Sequence, residues 1–447
     1  MNKNARSLFI AILIIAIALL GIVFIRNLID FPVYYSAGQS LINGRTDLYS
    51  PDFAQGRVMD YRYPPFFLVA LAPLWLLPYS TAAYIWYLFS TLQISWCAFI
   101  IHRKARLDQS ATAAWIIIGF AVCQYFVMIL HYGNAHLLAI FLLFASFYFV
   151  SRRNNAIAAL ALALAITIKL TPIMILPYFA LKKKWRLLSL VAVMLVAINL
   201  APAAYFGVSK NIYLLKSWYE HVIQDQKFHE MNGPINLSLK GQLRRCFSQV
   251  DYSGRVDGDT RYPSINIANL SSETIESIWI SLAAITFCAL LAFIRFGARR
   301  ASPEQEMSND TSNTQYIEQS RSGESSEMLE LSLMICGMLL VEPLTSKIYF
   351  IALIWPVASL AAFAFNNPSL AGRRVRRALI FVAVINSVLP LLPGRSVQRL
   401  LLALGADFYL NCLLMMAVIY ALVALSHESQ SLYGGPQTQA LSAAKTS

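Results

Sequence analysis

Asp30-Phe31-Pro32-Val33-Tyr34-Tyr35, Gly44-Arg45-Thr46-Asp47-Leu48-Tyr49 and Asp60-Tyr61-Arg62-Tyr63-Pro64-Pro65 follow the first membrane-length apolar run, Ser7 to Ile25. They place acids, arginines and tyrosines at the edge of a bilayer. An ionisable group so close to hydrocarbon is costly unless it is paired or wet, which makes it a functional candidate by default. The rest of the chain reads as a helical bundle that holds this edge in place.

Composition supports that reading. The 447 residues are 57% hydrophobic and 13% charged, with a mean hydropathy of +0.55. Soluble domains carry about 25% charged residues. The apolar runs are continuous and not alternating, which excludes a transmembrane barrel. The formal net charge of +13 comes from short basic clusters between apolar runs, the positive-inside pattern, and implies no nucleic acid partner. Five of the six cysteines lie in apolar runs and only Cys246 in a polar loop, so no disulfide framework is written. The apolar part of the first run is too long for a signal-peptide core, and the expectation is a retained anchor.

The expected fold is all-α, a polytopic helical membrane protein with about 12 transmembrane helices. Spans are expected near 7–26, 80–101, 112–131, 136–150, 187–206, 274–296, 328–341, 348–366, 377–392 and 400–425, with a pair of short helices at 156–168 and 173–181. Basic clusters such as His102–Arg106, Lys182–Arg186 and Arg373–Arg377 mark the inner side. Residues 27–79 and 207–273 are then outer loops. Phe66–Leu77 is too short to cross and is expected to be an interfacial helix. By composition 301–326 is a disordered inner linker. It divides a front bundle, 1–300, from a four-helix back part, 327–425, and 426–447 is a disordered tail.

The unusual ionisable residues at span ends all fall on the expected outer side. Asp30 suits a general base that deprotonates an acceptor hydroxyl meeting a lipid-borne partner. The alternative is a helix cap, or a partner of Arg26 or Arg62. Lys169, before Thr171-Pro172, interrupts a run that is apolar from Ala156 to Leu181. A lysine there costs about 2.5–3.5 kcal/mol on insertion scales, so an anion partner, with phosphate the natural one, competes with an ion pair to Glu342. Lys347 is either a second phosphate contact or a snorkelling side chain. His131 and His136 straddle Gly133-Asn134 and read as hydrogen-bonding loop residues, not metal ligands. Asn236 to Arg245 looks like a turn followed by an amphipathic helix, in which Lys240, Arg244 and Arg245 meet lipid phosphate or simply anchor at the interface. Nothing requires a metal or other cofactor.

In this order the pieces resemble glycosyltransferase family 87, the GT-C fold mannosyltransferases that use a polyprenyl-phosphate sugar. The resemblance is carried by Asp30 to Gly38, the Gly44 to Tyr49 step, Tyr61-Arg62-Tyr63-Pro64-Pro65-Phe66 and Tyr132-Gly133-Asn134. Lys169-Leu170-Thr171-Pro172, Asn236-Leu237-Ser238-Leu239-Lys240-Gly241 and Pro343-Leu344-Thr345-Ser346 continue it, so that it covers about residues 7–360. It implies that Asp30 is the catalytic base. It also implies an inverting transfer of a mannose-like hexose to a lipid or glycan acceptor at the outer face of the cell membrane. Arg62, Tyr63, Asn134, Lys169, Lys240, Arg244, Glu342 and Lys347 are the candidate substrate-binding residues. One departure stands out. The family's Ser-Pro-x-Ser-Trp stretch, followed by one or two histidines, reads Glu342-Pro343-Leu344-Thr345-Ser346-Lys347-Ile348-Tyr349 here. The histidine's role passes to Lys347 or Tyr349, or is lost. A lipid or solute transporter is the alternative class, and it predicts a broken-helix pair repeated in two halves.

Overall fold

The computed structural model describes residues 16–45, 48–49, 61–105, 111–224, 235–248, 262–301 and 313–433. Among these residues there are helices and no strands, as an apolar medium demands when every backbone polar group must be satisfied within the chain. Six helices are long and apolar enough to cross a membrane: Tyr79–Ala105, Thr112–Tyr132, Trp185–Phe206, Ser272–Phe296, Lys347–Asn366 and Ala406–His427. A bent pair, Ala16–Asn27 and Phe31–Ile42, makes up to seven, and His136–Ser151, Asn155–Ile168 and Thr171–Leu181 are shorter apolar helices. The protein is therefore an all-α polytopic membrane protein, with fewer full-length crossings among the described residues than the 12 expected.

The chain forms two compact units that alternate along it. The first takes Met1–Ile100, Tyr125–Phe179 and Lys184–Met231, and the second takes Ile101–Gln124, Ala180–Lys183 and Asn232–Ser447. In the first unit the axis bends by 72° between Ala16–Asn27 and Phe31–Ile42. Leu28 is extended, with ψ 140, and Pro32 opens the second helix, where a missing N–H costs nothing. The short segment expected at 66–77 is two helices, Pro65–Ala70 and Ala72–Trp75. Both pack on Phe31–Ile42 through an aromatic cluster. Tyr34 meets Tyr63 edge-on at 5.0 Å and Phe67 at 5.4 Å, and Tyr63 stacks on Phe67 at 4.7 Å. Each such pair adds about 0.5–1.5 kcal/mol beyond its area burial. Gly38 allows the approach, since a Cβ there would overlap the Trp75 indole. The run 156–181 breaks at Lys169, as expected. Helix Asn155–Ile168 ends there in an extended residue, and a 3-10 turn, Thr171–Ile175, leads into Leu176–Leu181.

In the second unit four expectations are corrected. The run 400–425 is not one span: Gly405, with φ +77, ends an amphipathic helix, Arg395–Leu404, before Ala406–Tyr433 begins. The span placed at 377–392 is the helix Leu370–Val388, which takes the Arg373–Arg377 cluster into its first turns behind a Ser369 cap and stops before Pro390. Helix Leu239–Phe247 forms as expected, capped by Ser238, but its charges point inward. Lys240, Arg244 and Arg245 are all buried. Residues 313–326, read as linker, belong to the helix Asn313–Val341, while 302–312 lie outside the described residues.

Candidate functional site

Asp30 lies in the break between the two bent helices, outside either one. Its carboxylate does not cap the helix it precedes, so the capping alternative falls. Instead the turn Tyr132-Gly133-Asn134 holds it twice. The Asp30 N–H donates to the Tyr132 carbonyl at 2.8 Å, and Asn134 Nδ2 donates to Asp30 Oδ2 at 2.7 Å. Asn134 Oδ1 accepts the His136 N–H at 2.7 Å, which fixes which end of the amide faces the acid. Gly133 makes the turn with φ +62, and a Cβ there would come within 3.1 Å of Leu28 and 3.2 Å of Phe31. Its carbonyl accepts from Trp86 Nε1 at 2.8 Å.

A second ring of contacts stiffens this cradle. The Ala135 N–H donates to the Tyr34 hydroxyl at 3.2 Å, and that hydroxyl meets the Tyr63 hydroxyl at 2.9 Å. Tyr49 donates to the Tyr63 carbonyl at 2.7 Å, and Trp218 Nε1 to the Arg62 carbonyl at 3.0 Å. Side-chain donors thus fix the Arg62 and Tyr63 carbonyls, with Arg62 within electrostatic reach of the acid and Tyr63 joined to the Tyr34 hydroxyl. Thr46, Asp47 and Asp60 lie outside the described residues.

Burial raises the Asp30 carboxyl from 3.8 to about 6, against the opposing pull of the Asn134 hydrogen bond and the charges of Lys169 and Arg62. A carboxylate poised just below neutrality, in a cradle with two cations within electrostatic reach, is the arrangement a general base needs. The first unit therefore brings together Asp30, Arg62, Tyr63, Asn134 and Lys169.

The other candidates belong to the second unit and are described in their own surroundings. Two of the sequence pieces meet there. Asn236 Nδ2 donates to the Pro343 carbonyl at 2.9 Å, and the Leu237 N–H to Thr345 O at 2.7 Å. The Thr345 N–H donates to Asn236 Oδ1 at 3.2 Å. Lys240 is committed to structure, since its ammonium lies 2.6 Å from Glu276 and over the Trp279 ring at 4.6 Å. Arg244 differs. It is 7% exposed and its buried Nε makes no hydrogen bond among the described residues. Lys347 lies 3.7 Å from Asp407. Glu342, half-buried, ends the helix Asn313–Val341. Asp407, which sequence reasoning missed, was detectable as an acid inside a long apolar run.

The model of glycosyltransferase family 87 matches residues 61–312, more than half of the chain. The matched stretch holds Arg62, Tyr63, Asn134, Lys169, Lys240 and Arg244, while Asp30, Glu342 and Lys347 lie outside it. No curated protein and no solved structure was found to match the chain.

Proposed function

Because the chain belongs to glycosyltransferase family 87, we propose that it moves a mannose-like hexose from a polyprenyl-phosphate donor to an acceptor hydroxyl at the outer face of the membrane, with Asp30 as general base. The observation that carries this reading is the Asp30 carboxylate itself. It is buried, aimed by Asn134, raised to about 6, and left with one oxygen outside the Asn134 bond.

In the proposed step the acceptor oxygen attacks the anomeric carbon while its proton passes to Asp30. The bond from that carbon to the phosphate oxygen breaks, and the lipid phosphate leaves with the electron pair. The configuration inverts. Charge gathering on the departing phosphate calls for fixed cations, the part proposed for Lys169 in the first unit. In the second unit, taken by itself, Arg244 is the candidate anion contact, because its buried Nε makes no hydrogen bond among the described residues and an arriving anion would satisfy it. Lys347, held by Asp407, is the next candidate. Lys240 drops out, because its charge is already met by Glu276.

The test is transfer by the purified full-length protein in lipid, using a panel of radiolabelled polyprenyl-phosphate sugars. One donor is consumed by the wild type and not by Asp30→Asn. Full activity in Asp30→Asn sinks the assignment of the base, and no turnover of any donor by the wild type sinks the donor class.

A further inference from the structure

Between Leu370 and Leu404 the chain carries six arginines and no acid. Arg395 and Arg399 stand one turn apart on the helix Arg395–Leu404, and neither makes an ion pair or a side-chain hydrogen bond among the described residues. The opposite face of that helix is apolar and open, with Val397, Leu400 and Leu404 all exposed. Gln398 bonds back to the Leu389 and Leu392 carbonyls, at 2.7 and 3.2 Å. This pins the helix onto the turn that follows Leu370–Val388.

Adjoining that turn, within the same unit, a groove of 340 Å³ runs between the helices 111–132 and 370–388. Ile116, Phe120, Ile380, Ala383, Val384 and Val388 line it. Its one polar neighbour, Ser387, donates its hydroxyl to the Phe120 carbonyl at 3.0 Å, so the groove offers carbon only. Its volume falls within the range of about 300–1,000 Å³ typical of ligand sites. The floor is apolar, and both arginines belong to the helix that Gln398 ties to Leu389, the residue after groove-lining Val388. The complementary molecule has a hydrocarbon chain and a phosphate.

We propose that this groove and the Arg395–Arg399 face form a site for an anionic phospholipid, with one acyl chain along Val384 and Val388 and the headgroup phosphate on the two arginines. Arginine forks match phosphate oxygens in pairs, and an amphipathic helix of this kind lies in the plane of the membrane surface with its basic side at the headgroups. The proposal is independent of the transfer reaction. It assigns a lipid site to residues with no part in the Asp30 cradle.

The test counts lipid retained by the full-length protein, by native mass spectrometry after reconstitution in equal parts dioleoyl phosphatidylglycerol and dioleoyl phosphatidylcholine. The wild type is expected to favour phosphatidylglycerol by about tenfold or more, given two cations near the surface. Arg395→Gln/Arg399→Gln removes that preference while eluting as a folded protein. Ala383→Leu, which narrows the groove, lowers retention of both lipids. Equal retention by the wild type overturns the proposal, as does a preference that survives the double arginine change. Displacement of the bound lipid by equimolar undecaprenyl phosphate would overturn the phospholipid assignment in favour of an isoprenoid carrier.

Discussion

Asn134 donates to the carboxylate of Asp30 at 2.7 Å from a turn 104 residues away in the chain. The amide cannot be reversed without losing the His136 N–H bond, so the acid always faces a donor and never an acceptor. Asn134→Ala removes this support and leaves the carboxylate with less to favour its charged form. Donor binding is expected to persist while the rate at neutral pH falls by about tenfold or more, within the range of general-base effects. Steady-state kinetics with kcat and KM separated will check this.

As the proposed base, a carboxyl near 6 sets the expected pH profile. Transfer should rise from pH 5 to 7 with an inflection near 6 and level off above it, since only the deprotonated carboxylate accepts the proton. The Asn134 bond and the Lys169 charge both pull the carboxyl down. Asn134→Ala or Lys169→Ala therefore moves the inflection to higher pH, with partial recovery of rate in alkaline buffer. An unmoved inflection in both variants would assign it to another group.

The same acid opposes folding when charged. A carboxyl raised in the folded state adds stability that is present below its unfolded value and lost as pH rises through the folded one. Raising Asp30 from 3.8 to about 6 corresponds to about 3 kcal/mol at most. Asp30→Asn is expected to melt no lower than wild type at pH 7.5 while losing transfer about 10²–10⁴-fold. Thermal melts beside the activity assay separate loss of chemistry from loss of fold.

Gly133→Ala places a Cβ at φ +62 against Leu28 and Phe31. Left-handed backbone costs a residue with a Cβ about 1–2 kcal/mol, and the contact pushes on both sides of the Asp30 break. A lower melting temperature and reduced transfer are expected together.

Lys240 and Arg244 share a helix turn and should respond differently. Lys240→Ala strands Glu276, which keeps some access to water. A stability loss of about 1–3 kcal/mol is expected, below that of a fully buried pair, with donor KM unchanged. Arg244→Ala removes a side chain that forms no ion pair among the described residues and whose buried Nε is unsatisfied, so donor KM should rise with little change in melting temperature.

Much of this site was legible because its residues are expensive where they stand. Asp30 and Lys169 announce themselves as charges at apolar edges, and Gly133-Asn134 as a turn between apolar runs. Pro64-Pro65 and Thr171-Pro172 mark breaks that the structure contains. Gly405 was not legible as a break, because one glycine inside an apolar run is equally at home in a continuous span. The inward turn of Lys240 and Arg245 was hidden for a related reason. Periodicity shows that a helix has two faces, and only the partners, here Glu276 and Gln242, decide which one is buried. The pairing of Asp30 with Asn134 depends on tertiary placement that no local pattern contains.

The turn at Tyr132-Gly133-Asn134 grips both the main chain and the side chain of Asp30. The carboxylate proposed as the base is therefore located by a hairpin between two apolar helices 104 residues further along the chain. A change in that hairpin would move the acid without altering any residue next to it in the chain.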